Sequence, residues 1–281
     1  MKKITQEIQN KIVSFYEEGK TVADIGRELG LDAYGTVSKT LRHRGVKILP
    51  QNPSLIYKVN ENYFENIDQE DKAYWLGFLM ADGYIRQRIQ KNKRKYTVRL
   101  TLKESDHMHI KKFADYIAYS GDIKFATRAC SNGVLCKMAY VEICRKKMHD
   151  DLTKHGCIQN KSLILEFPLH IDKKWQRDII RGYFDGDGSI YKQRDRNNDP
   201  KYYAITICSG SHNFITACQN ILFEESIDNN ISQGAGVEIL RIRSKSHEKF
   251  YHYLYDKSTT YLDRKRDIFI EMATGLEWQL D

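Results

Sequence analysis

The sequence predicts an α+β molecule built from two copies of one lobe, preceded by a small all-helical module. Three observations carry this. Two apolar helical stretches, WLGFLMADG at 75–83 and IRGYFDGDG at 180–188, each end in Asp followed by Gly, and the two acids, Asp82 and Asp187, stand 105 residues apart. The same order of hydrophobic patterns follows each stretch, whereas the first 46 residues follow a separate, purely helical pattern.

From the amino terminus, residues 5–18 place Ile8, Ile12, Val13 and Phe15 at helical spacing, with Gly19 ending the helix. Thr21 is suited to cap a second helix through Leu29, since its hydroxyl can accept a first-turn backbone N–H, and Gly30 makes the turn. A third helix is predicted from about Ala33 to His43, its start weakened by Gly35. Ile25, Leu29, Leu31, Val37 and Leu41 supply the core. This pattern resembles a helix-turn-helix DNA-binding domain over residues 1–46, and Thr36, Ser38, Lys39, Arg42 and His43, with no acid among them, are the candidate recognition residues. Residues 47–69, with Pro50 and Pro53, read as a linker that meets the larger domain near Tyr63 or Phe64.

In the first long motif Ala73, Gly77 and Ala81 recur every four residues as a stripe of small side chains, and in the second Gly182 and Gly186 occupy that stripe. Gly inside a helix costs about 1 kcal/mol relative to Ala, so a packing reason is expected, and close approach of the two helices supplies one. That approach would bring Asp82 beside Asp187 at two helix C-termini, where the macrodipole is already negative and a second carboxylate raises the cost of ionisation. A divalent cation relieves the repulsion. Asp-Gly at a helix end is also the composition of a left-handed C-cap, which is the structural alternative for each motif taken alone.

Each motif is followed by a probable hairpin, a helix, two further strands and a closing helix. In the first lobe, 70–170, these are the alternating run at 96–103, an amphipathic segment at 107–118, strands at 123–129 and 138–144, and a helix near 147–155. In the second, 171–281, they fall at 202–208, 214–223, 231–233, 237–243 and 247–256. The repeat predicts two lobes related by a pseudo-two-fold, with antiparallel sheets around two central helices.

Eight basic residues and no acid lie between Arg86 and Lys103. Within that stretch Thr97, Arg99, Thr101 and Lys103 alternate with apolar residues, so one face packs inward and the other presents donors, together with Arg86, Arg88, Lys93, Arg94 and Lys95. Such a face can meet phosphates through Arg and Lys and base edges through Thr and Arg. The second lobe is less basic: Lys192, Arg194, Arg196 and Lys201 are interleaved with Asp195 and Asp199, and Arg241 and Arg243 share a face of a later strand.

With both motifs in view, about residues 60–275 of the chain resemble LAGLIDADG homing endonucleases of the monomeric, two-motif kind. Met80 stands where the family name has its first Asp, while the final acid of both copies is kept. The resemblance implies a monomeric, site-specific endonuclease, free-standing or intron-encoded, that makes a double-strand break in a long asymmetric duplex DNA site. It also implies Mg²⁺, or another divalent cation such as Mn²⁺, held by Asp82 and Asp187 with carbonyls near Ala81 and Gly186. The family's basic residue near each scissile phosphate carries over by position onto Lys161 and Lys265. Two alternatives on the same scaffold stay open: an intron maturase that binds RNA, and a DNA-binding regulator without catalysis.

Composition agrees with a globular chain, since 41% of residues are hydrophobic, and the net charge of +8 favours a polyanionic partner. No stretch is long and apolar enough to span a bilayer, and MKKITQEIQN has no apolar run after its lysines, so no membrane role and an intracellular location, cytoplasmic near the nucleoid or organellar, are expected. Cys130, Cys136, Cys144, Cys157, Cys208 and Cys218 form no C-x-x-C pair and read as buried reduced thiols.

Overall fold

In the computed structural model, residues 4–18, 20–48, 57–90, 93–129, 133–194 and 200–276 are described. They fall into two compact units, residues 1–56 and 57–281. The first is all helical: α1 (Gln6–Glu17) begins at Thr5, α2 (Val22–Leu29) is capped by the Thr21 hydroxyl and stops at Gly30 in the left-handed region, and α3 (Ser38–His43) follows. Ile12, Val22, Ile25, Val37 and Leu41 form its buried core, with Leu29 and Leu31 packed against it. The third helix departs from expectation, because Ala33–Val37 is wound as a π-helical turn ahead of α3. The Asp32 carboxylate caps that turn through the Tyr34 N–H and lies where a side chain at position 35 would project, 2.0 Å from an added Cβ, so a larger residue there would displace the capping carboxylate. Gly19 lies outside the described residues, as do Pro50 and Pro53.

The second unit holds both lobes. Its chain docks from Tyr57: the Ser120 N–H donates to the Lys58 carbonyl, the Asn60 N–H donates to that of Ile117, and Tyr63, Phe64 and Ile67 are buried. The first lobe runs α4 (Glu70–Asp82), β1 (Gly83–Gln90), β2 (Lys93–Lys103), α5 (His107–Tyr116), β3 (Lys124–Ala129), β4 (Leu135–Ile143) and α6 (Lys146–Lys154). The second repeats the order with α7 (Gln176–Asp187), β5 (Gly188–Arg194), β6 (Pro200–Ser209), α8 (His212–Glu224), β7 (Asn229–Gln233), β8 (Glu238–Ile242) and α9 (His247–Tyr255), then adds α10 (Asp263–Leu276). Both sheets are antiparallel with equivalent orders, β1-β2-β4-β3 and β5-β6-β8-β7, and their registers correspond, Gly83 facing Leu100 and Gly188 facing Ile207. One apolar core runs through both lobes, from Trp75, Phe78 and Phe113 to Phe184, Phe214 and Phe250.

The small-residue stripe is the seam between α4 and α7. A Cβ on Gly77 would stand 2.0 Å from the Ile179 carbonyl oxygen, and one on Gly182 equally close to that of Tyr74. Backbone therefore meets backbone, which no larger residue permits. The Asp-Gly ends are not left-handed caps. Gly83 (φ −73°, ψ 141°) and Gly188 (φ −79°, ψ 161°) are extended, so each helix passes straight into its first strand. Glycine is needed there because a Cβ would press on the Leu79 and Phe184 carbonyl oxygens at 2.4 and 2.5 Å.

Two cysteines differ from the expectation of buried reduced thiols, Cys208 being only half-buried. Cys136, near the start of β4, is disulfide-bonded, whereas Cys144, Cys157, Cys208 and Cys218 are free thiols, and Cys130 lies outside the described residues. The strand pattern around Cys136 gives no sign of a cross-link. Among the described residues no helix is long and apolar enough to cross a membrane.

Candidate active site and nucleic-acid interface

Asp82 and Asp187 are the last residues of α4 and α7, so the close seam between those helices brings the two carboxylates together. A Cβ on Gly186 would touch Ala81 Cβ at 2.4 Å and stand 3.3 Å from an Asp82 carboxylate oxygen, which places Asp82 over the backbone just before Asp187. Both side chains open to solvent on one side while protein crowds the other. Loss of solvation first and the charge of Asp187 second push Asp82 up to about 6, against the pull of Lys265 and Lys161. Asp187 is raised by loss of solvation too, with Lys161, Lys265 and a hydrogen bond from Tyr183 opposing.

Lys161 and Lys265 occupy equivalent places. Lys161 opens a short 3-10 turn after Asn160, which is left-handed at φ 57°, and its Nζ donates to the Gly83 carbonyl at 2.5 Å. Lys265, in the first turn of α10, donates to the Gly188 carbonyl at 2.5 Å and to that of Phe184, with the Phe184 ring 4.9 Å beneath it. Each lysine thus binds the carbonyl directly after a motif acid. They differ in burial, Lys161 being partly exposed and Lys265 only 4% exposed, and burial lowers Lys265 to about 8. Beside Asp187 a cavity of about 250 Å³ is lined by Lys161, Ser162, Tyr183, Cys208 and Ser209 among others.

Among the described residues no group of three or more His, Cys, Asp or Glu side chains converges. Two accessible carboxylates that repel one another at negative helix ends nevertheless suit a hard divalent cation, provided backbone carbonyls, water and a ligand's oxygens complete its shell. Ala81 and Gly186, immediately before the acids, lie at the seam where such carbonyls would be needed.

The sheet residues are sorted by register. Tyr84, Arg86 and Arg88 of β1 face Arg99, Thr97 and Lys95 of β2, and Arg99 and Thr101 face Glu142 and Tyr140 of β4, so all share the polar face. Arg86, Arg88, Arg94 and Lys103 are exposed and Thr101 is partly so. Thr97 corrects the expectation: only 6% exposed, its short side chain is overtopped between Arg86 and Arg99. Arg99 is half-buried and tied to Glu142, which also lies 4.0 Å from Lys95. The patch that is free of acids along the sequence therefore contains one in space. In the second lobe Lys192 pairs with Glu271 at 3.0 Å, Arg241 is half-buried on the same face as Thr206, and Arg243 lies just past β8. The side chains of Lys93, Arg194 and Lys201, and Arg196 as a whole, lie outside the described residues. In the helical unit Lys39, Arg42 and His43 are exposed and Thr36 partly so. Ser38 is the second correction: it is buried, its hydroxyl donating to the Ala33 carbonyl at 3.2 Å, because the π turn rotates it inward.

Sequence reasoning missed Asp185. It is visible in IRGYFDGDG as an extra acid, yet it is fully buried and accepts three hydrogen bonds, a role that no local spacing signals.

Residues 174–255, which span α7 to α9, match the family of LAGLIDADG-like domains. The duplicated LAGLIDADG fold is shared with the homing endonuclease I-WcaI, solved bound to its DNA recognition sequence, at 16% identity and a TM-score of 0.52, over 83% of this chain and 96% of that one. The meganuclease I-SmaMI, bound to uncleavable DNA, is similar at 11% identity and a TM-score of 0.49, over 73% and 90% of the two chains. I-DmoI in complex with DNA and Mn is similar at 16% identity and 0.46, over 70% and 98%. No curated protein matches the chain.

Proposed function

We propose that the chain is a site-specific homing endonuclease that makes a metal-dependent double-strand break in duplex DNA. The observation that carries this is the paired arrangement at the lobe boundary, two accessible carboxylates with one lysine behind each on the following carbonyl. Likeness of fold to I-WcaI, a homing endonuclease solved on DNA, supports the reading.

Hydrolysis of a phosphodiester needs an activated water, stabilisation of charge on the phosphoryl oxygens and a stabilised 3′ leaving oxygen. Asp82 and Asp187 would hold Mg²⁺ or Mn²⁺, with carbonyls of Ala81 and Gly186 as further ligands. When bound, the cations supply Lewis acidity and a water of lowered pKa. Lys161 and Lys265 offset the negative charge of the two acids and have N–H groups left over for an approaching phosphate. The polar sheet faces grip the flanking duplex: strands rise about 3.3 Å per residue and B-DNA about 3.4 Å per base pair, so about ten residues follow about ten base pairs. The helical unit, through Lys39, Arg42 and His43, adds a further DNA contact.

The test begins with a duplex selected from a random library for binding by the full chain. On that duplex with Mg²⁺, Asp82→Asn and Asp187→Asn should each abolish double-strand cutting while affinity stays within a few-fold, since each removes a ligand and also a charge that repels phosphate. Full cutting by either variant overturns the shared-site reading, and preferential capture of structured RNA over duplex would favour the maturase.

A further inference from the structure

The pseudo-two-fold breaks at one buried position. Where the first lobe has Met80, the second has Asp185, a carboxylate with no exposure to solvent. Burying a carboxylate is costly unless donors surround it, and here they do. The Tyr255 hydroxyl donates to Oδ1 at 2.7 Å, and the Tyr74 hydroxyl and the Leu262 backbone N–H donate to Oδ2 at 2.8 and 2.7 Å. Leu262 is the residue just before α10, and its carbonyl accepts the Lys265 N–H at 3.0 Å. Asp185 therefore pins the start of the helix whose first turn carries Lys265. Lys265 in turn lies buried against Phe184, which precedes Asp185, and Gly188, which follows the motif acid Asp187. Among the described residues no comparable buried carboxylate is bound behind Lys161, which springs from a three-residue turn and lines the same cavity as the apolar Met80.

We propose that Asp185 is a positioning residue, which fixes Lys265 in the second half of the site through Leu262, and that the first half has no counterpart, so the two halves are not equivalent. The strand-specific consequence rests on the endonuclease reading above; the anchoring of Lys265 does not. Loss of the anchor should slow the half-reaction served by Lys265 and leave the other, turning a double-strand cutter into a nicking one.

Two measurements on the full chain separate the claims. In the absence of DNA, acetylation of individual lysines by an N-hydroxysuccinimide ester, followed by peptide mass spectrometry, should modify Lys265 at least tenfold more slowly than Lys161. Asp185→Met, which installs the first-lobe residue, should raise the Lys265 rate at least tenfold with Lys161 unchanged. Tyr255→Phe removes one donor only, should raise it by a smaller factor, and carries the test if Asp185→Met does not fold. On the selected duplex with Mg²⁺, strand-resolved cleavage by Asp185→Met should fall at least tenfold on one strand and less than threefold on the other, and by Tyr255→Phe by a smaller factor on that same strand, so that nicked product accumulates. A simple loss of folded protein would lower both strands equally, and that result, or a Lys265 that stays protected in both variants, overturns the proposal. Wild-type protein that shows the labelling pattern but cuts nothing overturns the endonuclease reading and leaves the anchoring intact.

Discussion

His109 shows how a single residue is set by neighbours far away in the chain. Its Nε2 lies 3.0 Å from the Tyr74 hydroxyl, and because that hydroxyl donates to Asp185, Nε2 must carry the proton and donate in turn. Its Nδ1 is left among apolar rings with no partner in the described residues. Burial first, then the positive charges of Lys112 and Arg264, hold its pKa down to about 3. The unfolded chain takes up this proton near pH 6.5, so acid favours unfolding, and stability is lost as pH falls from about 6.5 towards 3, at about 1.4 kcal/mol per pH unit. Asp82 acts in the opposite sense: raised to about 6, it binds its proton more readily folded than unfolded, so its penalty fades as pH falls through that value. The whole-protein curve mixes the two, and a difference isolates the histidine. His109→Gln, whose amide can keep the bond to Tyr74, should lose less stability than wild type on acidification, the gap shifting by about 1 kcal/mol per unit below pH 6. Parallel denaturation curves from pH 4 to 7 would show that His109 titrates normally. At this scale the sequence discloses residues whose role is local, such as Thr21 at a helix start, and conceals Asp185, His109, Thr97 and Ser38, whose surroundings come from other elements.

The helices and strands themselves are largely legible, because each buries one face with its own period: β4 and β8 were expected at 138–144 and 237–243 and lie at Leu135–Ile143 and Glu238–Ile242. Pairing between elements is less so. Glu142 meets Arg99 across the sheet, 43 residues away, so a first-lobe patch read as unopposed charge is partly neutralised, and in the second lobe Glu271 reaches Lys192 from α10. Close approach of α4 and α7 was legible only because glycine is a poor helix former and appears there nonetheless. That gives a test with opposite outcomes. If Gly182 were there without a packing reason, Gly182→Ala would stabilise the protein by about 1 kcal/mol through helix propensity. With the Tyr74 carbonyl oxygen 2.0 Å from the new Cβ, the helices must part, and overpacking of that kind costs about 1 to 3 kcal/mol. Denaturant midpoints should fall for Gly182→Ala and for Gly77→Ala. Cutting should fall further than stability, since separating the helices also separates Asp82 from Asp187.

For the molecule as a whole, duplication supplies two grips on DNA, and their strengths differ. The first-lobe polar face offers Arg86, Arg88 and Lys103, all exposed, whereas on the second Arg241 is half-buried and Lys192, on the opposite face with Tyr203, is engaged by Glu271. A lysine on the far face and paired with a carboxylate meets phosphate less readily, so it contributes less to the salt dependence of binding. Each phosphate contact contributes about 0.9 to the slope of log affinity against log salt, so replacing Arg86, Arg88 and Lys103 by Gln should flatten that slope by about 2 to 3. Replacing Lys192, Arg241 and Arg243 by Gln should flatten it by about 1. The same inequality predicts a selected target with two unlike halves, because faces with different side chains cannot favour the same half-site. Equal slope changes for the two triple variants, or a strictly palindromic selected site, would show that the two lobes hold DNA alike.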